Sequence, residues 1–139
     1  MNALVVYDSV HGNTERVAQA IGEAVGGRAV RVGDVSPEEL VGLDLLIVGS
    51  PTHGGSPTEG IHALVERALA LKGVKVAAFD TRTKRSIFGY AAPKTARNLE
   101  ESGGTPLAPP EGFVVRGIKG SLVEGEPERA AGWAPAITI

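Results

Sequence analysis

The sequence predicts an α/β protein: a doubly wound, five-stranded parallel sheet with strand order 2-1-3-4-5 and helices on both faces. Three observations point there. Short apolar runs alternate with helical periodicities along the chain. The first apolar run leads into a donor-rich turn that opens a helix. The three most unusual stretches follow strands 1, 3 and 4, and this topology gathers those loops beyond the C-terminal ends of the strands, at the switch point between strands 1 and 3.

The elements follow in order. Ala3–Tyr7 is the first strand. A helix runs from about Thr14 to Val25, with Val17, Ile21 and Ala24 on its buried stripe, and Gly26-Gly27 ends it. Arg28–Val32 alternates as an edge strand does. Ser36-Pro37-Glu38-Glu39 is a capping box opening a short helix, because Leu45–Val48 already reads as a buried strand. After the loop Gly49–Gly55, Ser56-Pro57-Thr58-Glu59 is a second capping box. Ile61, Leu64, Val65, Ala68 and Leu69 then give the spacing of a packed helix. Val74–Phe79 is the fourth strand and Asp80–Tyr90 a long loop. A helix spans about Ala91 to Ser102 and ends at Gly103-Gly104. Thr105–Pro110 is a proline-rich connection, and Phe113–Arg116 a short fifth strand. The last helix starts near Pro127 and is compromised by Gly132 and Pro135.

The 139 residues, 42% hydrophobic, read as a single domain over 1–139 with length enough for a sizeable core. No apolar run is long enough to span a bilayer and no leader pattern precedes the first strand. Together with the absence of cysteine, this makes a cytoplasmic location the expectation. That absence also excludes disulfides, thiolate nucleophiles and Cys-ligated metals. A net charge of −2 with scattered Arg and Lys argues against nucleic acid as a partner. His11, His53 and His62 lack metal-ligand spacing, and no convincing Ser-His-Asp set is present. A phospho-receiver site needs an acidic cluster after strand 1 and an Asp after strand 3. Here Asp8 stands alone and strand 3 runs into Gly49-Ser50-Pro51.

The turn Ser9-Val10-His11-Gly12-Asn13-Thr14 carries the strongest functional signal. A helix N-terminus offers unpaired N–H groups and the positive end of a dipole. Gly12 lets the backbone approach an anion, and Ser9, Asn13 and Thr14 add side-chain donors. The turn lacks the G-K-[ST] ending of a nucleoside triphosphate loop and the G-x-G-x-x-G of a dinucleotide site. It resembles the FMN-phosphate loop of the flavodoxin family, Thr/Ser-x-Thr-Gly-Asn-Thr, with His11 in place of the third-position Thr.

That resemblance, which spans nearly the whole chain, implies noncovalent FMN with its phosphate on Ser9–Thr14. The second loop, Ser50-Pro51-Thr52-His53-Gly54-Gly55, is similar to the one that packs beside the isoalloxazine ring. There a peptide flip offers a carbonyl to the protonated N5, and Gly54 is the first choice for that role and Gly55 the second. Thr52 is placed to donate to the ring edge and His53 to cover a ring face. The third loop starts with Asp80, Thr81 and Arg82 and closes with Phe88, Gly89 and Tyr90. It resembles the loop contacting the pyrimidine side of the ring, and either Tyr90 or Phe88 is available to stack. Arg82, Lys84 and Arg85 make it basic. Cations near the flavin favour its reduced anion, whereas a solvated basic loop has no redox role. Gly117–Trp133 resembles the fifth-strand end of short flavodoxin-domain proteins, and Trp133 reads as a packing anchor.

The implied function divides three ways. An electron-transfer protein exchanging electrons with redox partner proteins leads. A small FMN-dependent oxidoreductase using a small-molecule acceptor (a quinone, NAD(P)H or a haem precursor) comes second. A flavin-free interaction protein with the same fold is third. No catalytic or metal-ligating residue is assigned, and the sequence is silent on oligomeric state.

Overall fold

Continuous apolar runs form strands buried on both faces, and in the computed structural model those strands pair in parallel throughout. The structure describes residues 2–67, 70–84, 89–117 and 120–134. In chain order they form β1 (Ala3–Tyr7), α1 (Asn13–Val25), β2 (Arg28–Arg31), β3 (Leu45–Pro51), α2 (Glu59–Glu66), β4 (Lys75–Thr83), α3 (Ala91–Glu101), β5 (Thr105–Pro106), β6 (Glu111–Val115) and α4 (Glu126–Trp133). The sheet order is β2-β1-β3-β4-β5, with β6 also paired to β4. The predicted order 2-1-3-4-5 is therefore present.

The two-residue alternation of the strands divides the core between the two faces. Val5, Tyr7, Ile47 and Phe79 pack with Val17 and Ile21 of α1 and Ala130 of α4. Leu4, Val6, Leu46, Val48 and Ala78 pack with Ile61 and Leu64 of α2 and Leu99 of α3. Trp133 completes an edge-to-face trio with Phe79 and Phe113, at centroid distances of 6.5 and 6.1 Å. It is a packing anchor, as its place late in the chain predicts.

Ala24, expected on the buried stripe of the first helix, is exposed, and other details also differ from the sequence expectations. The Ser36 capping box forms, but it opens only a single 3-10 turn over Pro37–Leu40, because β3 begins five residues later. The fifth sheet position is shared: β5 pairs with Lys75 and Val76, and β6 with Phe79–Thr83. Pro109 and Pro110 stand between them and have no N–H to donate to a ladder. Ser50 and Pro51, and Asp80, Thr81 and Arg82, expected in loops, are strand residues, because Ser50 and Pro51 pair with Asp80 and Thr81, and Gly112, Phe113 and Val114 pair with Asp80, Thr81 and Arg82. The final helix extends through Gly132 to Trp133. Ala68 and Leu69 of the expected α2 stripe, Arg85 and Phe88 of the third loop, and Pro135 lie outside the described residues.

Gly49 lies between Tyr7 and Phe79 in register, and a Cβ built on it falls inside the Phe79 ring. Phe79 is fully buried and held by two other rings, so it has no space to retreat into. Gly49→Ala is expected to cost about 3 kcal/mol, the upper end for overpacking. Urea denaturation checks this, and an unchanged midpoint would show that the aromatic trio yields.

Candidate functional site

In a parallel sheet, each strand delivers the chain to the C-terminal edge, where the following helix begins. The N-termini of α1, α2 and α3 therefore converge at the ends of β1, β3 and β4. Each brings partly positive N–H groups that need acceptors.

α2 and α3 draw acceptors from the protein's own carboxylates and hydroxyls, although among the described residues no acceptor meets the Glu59 and Gly60 N–H groups of α2. Thr58 caps α2 by accepting the Ile61 N–H at 3.4 Å, and its hydroxyl donates to Asp8 Oδ2 at 2.6 Å. Ser50, fully buried, accepts the Thr58 N–H at 3.0 Å and donates to the Pro51 carbonyl at 2.8 Å. At α3, Thr52 Oγ1 accepts the Ala91 N–H at 3.2 Å and Asp80 Oδ2 the Ala92 N–H at 2.8 Å.

α1 is different. Its N-cap, Gly12, is left-handed at φ 87°, and no atom lies within 4 Å of where a Cβ would stand. The neutral Ser9 hydroxyl accepts the Gly12 and Glu15 N–H groups at 3.1 and 3.4 Å. Among the described residues no acceptor meets the N–H groups of Asn13 and Thr14. Glu15, the acid of this first turn, is paired with Arg31 at 3.3 Å. Arg31 also donates to the Ser9 carbonyl at 2.8 Å and approaches Asp8 at 3.8 Å, which ties the turn to β2. Asn13 Nδ2 donates to the Gly120 carbonyl at 2.6 Å and keeps a second N–H. Val10 and His11 are exposed. The turn thus presents two backbone N–H groups, the Ser9 O–H and an Asn13 amide hydrogen, beside a positive dipole end. That donor set suits a phosphate dianion.

Hydrogen bonds join the three loops. Thr14 and Thr81, both buried, share an Oγ1–Oγ1 bond of 2.8 Å, and Thr52 donates its N–H to the Thr81 carbonyl at 2.9 Å. His53 and Ser56 exchange backbone bonds of 2.8 and 3.0 Å around Gly54 and Gly55, whose φ values are 56° and 80°. Two consecutive positive φ values make a type I′ turn, to which glycine is suited. His53 and Gly54 are exposed, while Gly55 is buried.

The third loop is organised by an ion pair. Asp80, with no exposure, accepts Arg82 Nε at 2.7 Å and Nη2 at 2.8 Å. Burial pushes its carboxyl above the usual carboxylate range, against the opposing pull of Arg82 and the Ala92 N–H. The same guanidinium lies 3.6 Å from the centroid of the Tyr90 ring. Gly112 makes room for it, since a Cβ there would overlap the guanidinium. One face of Tyr90 is thus covered by Arg82. Of the three basic residues in this loop, Arg82 is neutralised, Lys84 is exposed and Arg85 is outside the described residues.

Sequence reasoning missed Asp8, Arg31, Thr58 and Lys94 as parts of this assembly. The second capping box places the cap at Ser56, whereas α2 starts at Glu59 and is capped by Thr58. Asp8 is visible as an acid directly after β1, but no local pattern marks Arg31 or Lys94. A groove of about 530 Å³ lies elsewhere, between Pro93, Ala96 and Arg97 of α3 and the segment from Pro106 to Pro110. No loop residue discussed above lines it.

A family model described as flavodoxin matches residues 5–131. Similar solved structures include a flavodoxin from the domain Archaea, with TM-score 0.82 and 22% identity, covering 99% of this chain and 96% of that one. Oxidised flavodoxin 1 from Bacillus cereus has TM-score 0.84 and 16% identity over 99% and 97%. Rubredoxin oxygen:oxidoreductase from Desulfovibrio gigas has TM-score 0.80 and 19% identity over 98% of this chain and 35% of the longer one.

Arg82→Met would leave Asp80 buried without its counter-ion. The expected cost is about 3 kcal/mol at neutral pH, the lower end for breaking a buried pair because Arg82 is 21% exposed. A carboxyl whose folded pKa exceeds its unfolded value loses stability as pH rises through that raised value. The variant's deficit should therefore be smaller at about pH 5 than at about pH 8. Denaturant titrations at both pH values check this. An equal deficit would mean that Asp80 does not carry the unpaired charge.

Proposed function

The chain belongs to the flavodoxin family, a family of flavin-carrying electron-transfer proteins, and from that membership we propose that it binds FMN noncovalently and exchanges electrons with redox partner proteins. One observation carries the FMN reading. Of the three helix N-termini at the site, those of α2 and α3 have a carboxylate built in, Asp8 hydrogen-bonded to the Thr58 cap and Asp80 to the Ala92 N–H. α1 meets only the neutral Ser9 hydroxyl and keeps the Asn13 and Thr14 N–H groups for an outside acceptor. The FMN phosphate supplies that acceptor in this reading. Riboflavin lacks it.

In this assignment Ser9–Thr14 hold the phosphate through backbone N–H groups and the Ser9 and Asn13 side chains. The ring lies between Ser50–Gly55 and the third loop, Asp80–Arg82 and Phe88–Tyr90. FMN, when bound, supplies the one- and two-electron chemistry, and the chain supplies binding, orientation and exclusion of water. Ser50, Thr52 and Asp80 hold the loops in place, because their side chains are engaged with the starts of α2 and α3. Gly54 and Gly55 give the second loop a turn whose central peptide can rotate, which redirects the Gly54 carbonyl as an acceptor for a protonated ring nitrogen.

The carrier reading stands ahead of the small FMN-dependent oxidoreductase. A modest net charge and a basic third loop favour the latter, but Asp80 neutralises Arg82, the first cation of that loop.

Titration of the apoprotein with FMN and with riboflavin tests the proposal. Two or more hydrogen bonds to a charged phosphate, at roughly 1.5–3 kcal/mol each, correspond to at least about 100-fold tighter binding of FMN than of riboflavin. Stepwise anaerobic reduction with an accumulating one-electron state supports the carrier, and a direct two-electron bleach supports the oxidoreductase. Failure to take up FMN would overturn the assignment.

A further inference from the structure

The second-loop turn contains three peptide groups, and the structure treats them unequally. The His53–Gly54 peptide is held because the His53 carbonyl accepts the Ser56 N–H at 3.0 Å. The Gly55–Ser56 peptide is held twice, through that same N–H and through the Gly55 carbonyl, which accepts Lys94 Nζ at 2.6 Å. The Gly54–Gly55 peptide has no hydrogen-bond partner among the described residues. Gly54 also has nothing within 4 Å of a built Cβ, so open space surrounds it.

Lys94 sits in the first turns of α3 and is half-buried. Its ammonium also reaches Ser56 Oγ at 3.3 Å, and among the described residues it pairs with no carboxylate. A half-buried lysine that donates to a backbone carbonyl makes a charge-assisted bond, stronger than a neutral one. α3 is itself anchored to the sheet by Asp80 and Thr52, so the lysine reaches the turn from a fixed base.

We propose that Lys94 is a positioning residue: by holding the Gly55 carbonyl it confines rotation of the turn to the Gly54–Gly55 peptide, and so makes the Gly54 carbonyl the acceptor the turn offers to a ligand N–H. The proposal deepens the FMN reading and rests on it for the identity of the ligand. With both ends of the turn held, rotation of the central peptide exchanges a type I′ for a type II′ turn without moving His53 or Ser56. Glycine at position 54 accepts both forms. Without the lysine, the Gly55–Ser56 peptide is held by its N–H alone, so its rotation is less restrained and the two-position character of the turn weakens.

Lys94→Met tests this in two arms. In the apoprotein, amide exchange of Ser56 followed by NMR should quicken about tenfold, the weight of one charge-assisted hydrogen bond, while amides of β3 keep their protection. In the FMN complex, the maximal fraction of one-electron-reduced flavin should fall while affinity for oxidised FMN changes less than about twofold. Both effects should persist near 1 M salt, where a pure charge effect is screened within about 3 Å. Unchanged Ser56 exchange, or a redox effect that vanishes in high salt, overturns the proposal. If the wild-type protein takes up no FMN, the functional reading fails by itself, and the exchange arm still decides whether Lys94 holds the turn.

Discussion

Parallel strand pairing is the constraint on which the rest depends. It sends every strand-to-helix turn used by the site to one edge of the sheet, so three helix N-termini must be satisfied in a small volume. Their partly positive N–H groups repel one another unless acceptors intervene. The protein supplies Asp8, through Thr58, at α2 and Asp80 at α3. It supplies α1 with a neutral serine hydroxyl. This asymmetry follows from residue choice, and in the FMN reading it is what leaves the start of α1 for a phosphate.

The acidic caps do more than satisfy donors. Asp8 couples the first loop to α2 and, with the Ser9 carbonyl, to Arg31 of β2. Asp80 couples β4 to α3 and orients Arg82, which in turn covers one face of Tyr90. The Thr14–Thr81 bond joins the first loop to the third from within the core. A cofactor held by these loops would sit against a backbone already braced from below, which limits the ordering cost of binding. Lys94 extends the bracing to the second loop, the one with two successive glycines.

Much of this was legible in the chain. Strand-to-helix alternation marked the sheet and its order, because the strands are buried on both faces and so leave continuous apolar runs. Ser9, Gly12, Asn13 and Thr14 were visible because a phosphate turn is local: its donors are neighbours in sequence. Gly54 and Gly55 were visible for the same reason. The split of the fifth sheet position was not read, although Pro109 and Pro110 were in plain view, because a proline pair in a strand and one in a connection look alike until register is known. Arg82 looked like a free cation beside a ligand, because its pairing depends on strand β4 extending through Thr83, and that extension depends on β6.

The sequence by itself determined the parallel α/β architecture, the glycine-containing turn at the start of α1, and the glycine turn of the second loop, since each is written in residues close together along the chain. The tertiary structure alone decided which charges are occupied and which donors remain. Asp8 reaches Thr58 across 50 positions, Lys94 reaches Gly55 across 39, and Asn13 reaches Gly120 across 107. Bonds of that span leave no local pattern, because they depend on the register of strands and the seating of helices, which only the folded core establishes.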